Sequence, residues 1–379
     1  MNVPLQLLGK RTAQAFLSDY WQRRPLLVRQ ALSALPALDA DELAGLACED
    51  AVESRIITGS AKRNDWTLRH GPFDERDFPL LGEADWTLLV QAVDHYDEEV
   101  AALKRLFAFL PAWRLDDIMV SFAAPGGSVG PHFDQYDVFL IQGQGRRRWR
   151  LGGPCPADSP LLPHPDLRLL AAFTTQEDYL LEPGDMLYLP PGWAHWGVAE
   201  DACMTYSVGF RAPSHAEIVS HYCDAMLACW PESGRFRDRE PAPAGNPGLI
   251  DPAIAGQLQE VIGQLLDPER LLDWFGCYMT EPKYESADGG PQHTALPRRG
   301  IVQLALASRA ACRYAGERCL LYVDGERFEG RGGLWQRFVE DLCRDRSVDL
   351  DSTLPAASDT GIGDALRQLW LAGKLEEAA

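Results

Sequence analysis

No two of the nine cysteines stand in a C-x-x-C spacing, and an odd number cannot complete a disulfide framework. They read as reduced thiols packed as small apolar groups. No apolar run approaches the roughly 18 residues a membrane-spanning helix needs. The amino end has no cationic stretch leading into an apolar one. Neither a membrane association nor a secretory signal is expected, so the expected compartment is the cytoplasm. Positive charge is scarce: 36 Lys and Arg against 55 Asp and Glu leave a net charge of −19. Nonspecific nucleic-acid binding needs clustered cations, so this balance argues against DNA and favours a basic protein as partner. There is no internal repeat and no long low-complexity tract.

Histidine is sparse too, with eight in 379 residues, which makes His132-Phe133-Asp134 worth weighing. On a strand, residues i and i+2 share a face, so His132 and Asp134 would point at one ion with Phe133 turned away. Downstream, Glu182-Pro183-Gly184-Asp185 reads as a turn and Met186-Leu187-Tyr188-Leu189 as a short buried strand. Pro190-Pro191-Gly192 then delivers Trp193 and His195 to a further segment. Two histidines and one carboxylate form the ligand set of non-haem Fe(II) oxygenases, with open positions for a chelating cosubstrate and dioxygen. Many short segments punctuated by Gly and Pro turns after Ile118 predict a small barrel or jelly roll, with these residues at its mouth.

The apolar run Val138-Phe139-Leu140-Ile141-Gln142, the turn Gly143-Gln144-Gly145 and Arg146-Arg147-Arg148-Trp149-Arg150-Leu151 read as a β-hairpin. Alternation puts Arg146, Arg148 and Arg150 on a solvated face. Arg147 shares the other face with Trp149 and Leu151. A cation turned inward needs an anion, because burying it unpaired costs several kcal/mol. A bound dicarboxylate in a bidentate pair would supply one. A Zn(II) cupin enzyme is an alternative, but it leaves Arg147 without a reason. A catalytically silent binding cupin is another, and the intact ligand trio argues against it.

These motifs resemble a known family. His132 to Phe139, Gly145 to Arg150, Glu182 to Asp185, Pro190-Pro191-Gly192 and Tyr206-Ser207-Val208-Gly209-Phe210-Arg211-Ala212-Pro213 look like the bacterial ribosomal oxygenases, JmjC-type protein hydroxylases of cupin fold. The likeness extends to Phe16-Leu17, Tyr20-Trp21-Gln22, Arg24-Pro25 and His70-Gly71-Pro72-Phe73, and in the last part to Trp274-Phe275-Gly276. It implies Fe(II) on His132, Asp134 and His195, with 2-oxoglutarate and dioxygen as cosubstrates. The distal carboxylate of 2-oxoglutarate would meet Arg147, with Ser121 a second contact and Thr205 and Ser207 weaker candidates in the same pocket. Tyr136 and Asp137 are candidates for touching a cationic substrate side chain. The implied substrate is an arginine of a basic large-subunit ribosomal protein. A histidine, or another basic protein, is the alternative.

The expected fold class is α+β. A double-stranded β-helix (jelly-roll/cupin) JmjC domain spans residues 1–212, a helical dimerisation region 213–280 and a winged-helix-like domain 281–379. Leu43 to Leu46, Trp86 to Val93 and Val100 to Leu110 read as helical. Ser214, Asp251-Pro252 and Asp267-Pro268 read as helix starts. The stripe Ile254, Leu258, Val261, Ile262 and Leu265 is assigned by the resemblance to a homodimer interface. Residues 231–252 read as a loop and Glu281 to Pro297 as a linker. Leu320 to Phe328 reads as a hairpin about Asp324-Gly325, followed by helices at Leu334 to Cys343 and Ile362 to Leu375.

Overall fold

A computed structural model describes residues 3–60, 63, 65–231, 234–237, 245–284, 295–356 and 361–378. The amino-terminal part opens with the small strands β1 (Pro4–Leu5) and β2 (Arg11–Thr12) and helix α1 (Ala13–Asp19). It continues with β3 (Leu26–Val28), helix α2 (Ala40–Leu46), β4 (Ser54–Thr58), β5 (Thr67–His70), β6 (Trp86–Val90) and helix α3 (Glu98–Ala102). Seven strands then follow: β7 (Leu115–Ala123), β8 (Val138–Gln144), β9 (Arg147–Pro154), β10 (Glu177–Leu181), β11 (Met186–Leu189), β12 (Trp193–Ala199) and β13 (Cys203–Phe210).

They build two antiparallel sheets. The large one has the order β3-β11-β8-β13-β7-β6-β4-β5 and the small one β10-β9-β12. This is the α+β jelly roll the turn-punctuated sequence predicts. Side chains alternate through the sheets. Phe139, Ile141, Tyr188, Tyr206 and Phe210 face the helices in a fully buried, largely aromatic cluster with Phe16 and Phe107. Leu140, Trp149, Leu151, Leu187 and Leu189 fill the space between the sheets.

Two expectations fail here. Trp86 to Val90 is a strand, hydrogen-bonded between β4 and β7, not a helix. Its run of buried residues fits a strand covered on both faces, where helical and strand periodicities look alike. Nor do β8 and β9 form a hairpin. β8 pairs with β11 and β13, whereas β9 pairs with β10 and β12. The left-handed Gly145 (φ 59°) carries the chain from one sheet to the other. A Cβ there would lie 2.1 Å from the Ala202 carbonyl oxygen.

Helices α4 (His215–Ala228), α5 (Ile254–Gly263) and α6 (Pro268–Thr280) follow. Ser214 and Asp267 cap α4 and α6 as expected. α5 starts at Ile254, later than Asp251-Pro252 predicts: Ala253 stands at its N-cap without a side-chain cap, and Asp251 accepts from the Ala253 amide. The last part holds the strands β14 (Ile301–Leu304), β15 (Ala310–Ala315), β16 (Arg318–Val323), β17 (Glu326–Arg331), β18 (Ser347–Asp349) and β19 (Leu375–Glu377). They form two three-stranded antiparallel sheets, β18-β14-β19 and β15-β16-β17. Around them lie α7 (Gly332–Asp345), α8 (Leu350–Thr353) and α9 (Ile362–Leu371), with a core of their own. α9 stops at Leu371, and Leu375 belongs to β19 instead. Asp324-Gly325, both at positive φ, join β16 to β17 as the hairpin pattern requires. Parts of the expected loop (232, 233 and 238–244) and of the expected linker (285–294) lie outside the described residues.

Candidate metal centre

The mouth of the jelly roll brings His132, Asp134 and His195 together, with one ligand atom from each within 4.8 Å of the others. The expected strand at His132 to Asp134 does not form. His132 instead makes an isolated bridge to His195, and each backbone N–H donates to the other's carbonyl oxygen (3.0 and 2.9 Å). The Gly192 N–H donates to the Asp134 carbonyl (2.6 Å), fixing the carboxylate-bearing loop. Gly192 sits at φ 73°, so the Pro-Pro-Gly turn meets this contact without strain.

Both imidazoles are aimed the same way. The Nδ1 of His132 lies 2.9 Å from the Gly130 carbonyl, and that of His195 lies 2.8 Å from the Trp193 carbonyl. Carbonyl partners fix Nδ1 as the protonated nitrogen and leave the lone pair of each Nε2 free to ligate a metal. Those Nε2 atoms stand 3.9 and 3.6 Å from Asp134 Oδ2. Burial pushes the His195 imidazole down to about 4, so it stays neutral near pH 7. Two imidazoles and one carboxylate with converging ligand atoms fit a divalent ion with open coordination positions.

Deeper between the sheets lies Arg147, only 3% exposed. Its Nη1 donates to Ser121 Oγ (3.2 Å), its Nε has no partner, and its guanidinium lies over the Trp149 ring. Burial without a carboxylate lowers its pKa. Gly197, opposite Trp149 in the β12–β9 register, makes the room, since a Cβ there would lie 2.9 Å from Arg147 Nε. The guanidinium therefore rests two residues along β12 from His195, or about 7 Å of strand. That is the span of a five-carbon dicarboxylate. Arg146, Arg148 and Arg150 point out as the parity predicts, paired with Asp201, with Asp178 and Glu200, and with Asp178.

Thr205 and Ser207 are buried on one face of β13, and Thr205 donates to Gln142 Oε1 (3.3 Å). Gln142 is fully buried and was missed. The signal was an amide closing an apolar run. Tyr136 is 42% exposed at the mouth, and its hydroxyl pKa is raised first by the charge of Asp134 and then by desolvation. Asp117 adds to that field. It is itself a buried carboxylate, accepting from Gln91 (2.9 Å) and Tyr284 (2.5 Å). Sequence reasoning had no signal for it. Asp137, expected at the substrate, is instead fully buried and accepts from Tyr188, Gln22 and Arg114. The acidic run at residues 94–99 is also largely structural. Asp94 is buried against Lys104, Asp97 caps α3, and Glu99 accepts from the Ala37 amide.

A jelly roll carrying this ligand trio is the architecture of the non-haem oxygenases, and the JmjC domain family matches residues 102–218. The ribosomal protein uL16 3-hydroxylase of Escherichia coli (strain K12) is 40% identical over 323 residues, covering 83% of this chain and 84% of that protein. A solved structure of E. coli YcfD superposes with a TM-score of 0.86 at 36% identity, covering 96% of this chain and 98% of that one. A second, described as the ribosomal oxygenase YcfD in complex with cobalt and 2-oxoglutarate, gives 0.83 at 34% identity, with coverage of 97% and 98%. The chain belongs to the JmjC ribosomal oxygenases, which are 2-oxoglutarate-dependent dioxygenases using Fe(II).

Proposed function

We propose that this chain hydroxylates an arginine of a large-subunit ribosomal protein, with uL16 the first candidate, in the cytoplasm. Fe(II), 2-oxoglutarate and dioxygen are the cofactor and cosubstrates, and the products are hydroxyarginine, succinate and CO2. The observation that carries the reading is Arg147, a buried guanidinium lacking a carboxylate, set one dicarboxylate length from a two-histidine, one-carboxylate cluster. In this reading His132, Asp134 and His195 hold the metal through both Nε2 atoms and a carboxylate oxygen. Arg147 and Ser121 hold the distal carboxylate of 2-oxoglutarate, and Thr205 and Ser207 line the same pocket. When bound, the metal and its cosubstrate supply the oxidising power, as dioxygen is reduced and 2-oxoglutarate decarboxylated. The protein's own part is to orient these groups, exclude water with Leu140, Trp149 and Leu189, and position the substrate. Tyr136 at the mouth and the buried Asp117 behind it favour a cationic side chain, and the net charge of −19 favours a basic protein.

A homodimer belongs to this proposal. On α5, Leu258, Val261 and Ile262 are 48, 46 and 58% exposed, an apolar stripe that a second copy would cover. Replacing Leu258 and Ile262 by Asp should convert a sedimenting dimer to monomer. A wild-type chain that is monomeric at micromolar concentration removes the dimer.

The substrate test is incubation of the enzyme with Fe(II), 2-oxoglutarate and free ribosomal proteins, followed by mass spectrometry. One oxygen added to an arginine of uL16, absent in a strain lacking this gene, is the expected result. Oxidation of a histidine, or of another basic protein, would keep the chemistry and replace the substrate. Unchanged hydroxylation in the deletion strain would remove the substrate assignment.

A further inference from the structure

A cavity of about 610 Å³ that shares no lining residue with the metal cluster lies between the jelly roll and the carboxyl-terminal sheets. One wall comes from residues 98–116 and the other from β14, the segment after it and the end of α7. Phe107, Leu110, Trp113, Leu304 and Leu306 give it an apolar lining. Lys104, Arg105, Arg309 and Arg346 give it positive charge, in a chain whose net charge is −19.

The carboxylates on the same walls are largely committed elsewhere. Asp116 is held by Arg211, Lys283 and Arg309, Asp345 by Arg344, and Glu99 by the Ala37 amide, leaving Glu98 without an ion pair among the described residues. Arg309 spends its donors on the carbonyls of Trp113, Leu115, Asp116 and Met279, which ties the two halves together. Lys104 pairs with the buried Asp94. Arg346 is different. Its Nη2 donates to the Ala305 and Ser308 carbonyls (2.9 and 3.0 Å), and among the described residues it makes no ion pair. Asp324, Asp94 and Glu376 act on it only at longer range, and Arg105 opposes it. Arg105 has no ion pair among the described residues either. Two guanidiniums without an ion pair among the described residues, beside an apolar cleft, match an amphipathic anion.

We propose that this interdomain cleft binds a small organic anion, its carboxylate-type head on Arg346 and Arg105 and its apolar body against Phe107, Leu110 and Trp113. Such a ligand would touch both halves of the chain, so its binding should also raise the melting temperature.

The test uses the full-length protein and 8-anilinonaphthalene-1-sulfonate, an aromatic anion that brightens in apolar sites. It should saturate, and decanoate should displace it at a concentration at least tenfold below that needed by decanol, which has the same body without the charge. 2-Oxoglutarate at levels that saturate the Arg147 site should not displace it. Arg346→Gln and Arg105→Glu should each weaken dye binding, the former at least tenfold. Ala108→Trp, which fills the cleft from its wall, should abolish it while 2-oxoglutarate binding stays unchanged. Arg105 and Ala108 are exposed, so those two variants decide the matter even if Arg346→Gln does not fold. Wild-type dye binding in Ala108→Trp and Arg105→Glu, or equal displacement by decanol, overturns the proposal.

Discussion

Two buried charges sit in this jelly roll under opposite conditions. Asp137, at the entry to β8, is fully enclosed, and its oxygens accept from Tyr188 (2.7 Å), Gln22 (3.0 Å) and Arg114 (3.2 Å). Arg147, at the start of β9, is enclosed almost as well, yet it has one hydroxyl partner and an orphaned Nε. A buried charge whose partners are all supplied by the chain is part of the fold. A buried charge whose partner is missing marks where something else must come. The same contrast separates Arg147 from Arg148, which turns outward to Asp178 and Glu200.

The largest expected effect is at the metal ligands. His132→Ala or Asp134→Ala should lower Fe(II)-dependent hydroxylation on the order of 10³-fold, since each removes one of three ligands, while circular dichroism remains that of the folded chain. Activity within a few-fold of wild type in both variants would dissolve the metal assignment.

Asp137→Ala should destabilise the fold by about 3 kcal/mol in urea unfolding, because it strands a tyrosine hydroxyl, an amide and a guanidinium. Its affinity for 2-oxoglutarate, measured on the folded protein, should stay near wild type. A variant of normal stability with lost binding would exchange the roles given to Asp137 and Arg147.

A smaller effect is expected at His95, which burial pushes down to about 4 beside Lys104 and Arg309. Because the folded value lies below the ordinary 6.5, its contribution to stability is complete above pH 6.5 and is lost as pH falls towards 4. His95→Gln should flatten the acid side of the stability curve across that window by roughly 2 kcal/mol. Parallel curves for the two proteins would show that His95 is not the group responsible.

Much of the site was legible because it rests on local rules. Strand alternation put Arg147 inward and its neighbours outward, and the burial pattern of β9 follows that alternation. Pro and Gly turns bounded β11 to the residue. Caps at Ser214 and Asp267 set α4 and α6. What failed depends on which sheet a segment joins. The Gly143-Gln144-Gly145 turn looks the same whether it closes a hairpin or crosses between sheets, and Trp86 to Val90 looks helical until β4 and β7 flank it. Asp137 was assigned to substrate because the chain places it three residues from Asp134. Its partners Gln22, Arg114 and Tyr188 arrive from distant segments that no spacing announces. Gly197 and Asp117 were missed for the same reason.

The most direct test is an anaerobic titration of 2-oxoglutarate into the metal-loaded wild type, Arg147→Ala and Arg148→Ala. Losing a buried charge-assisted carboxylate pair should weaken binding about 100-fold in Arg147→Ala, and losing a surface ion pair should change it less than about twofold in Arg148→Ala. Equal losses in the two variants, or undiminished binding in Arg147→Ala, would contradict the account of Arg147 as the cosubstrate's anchor.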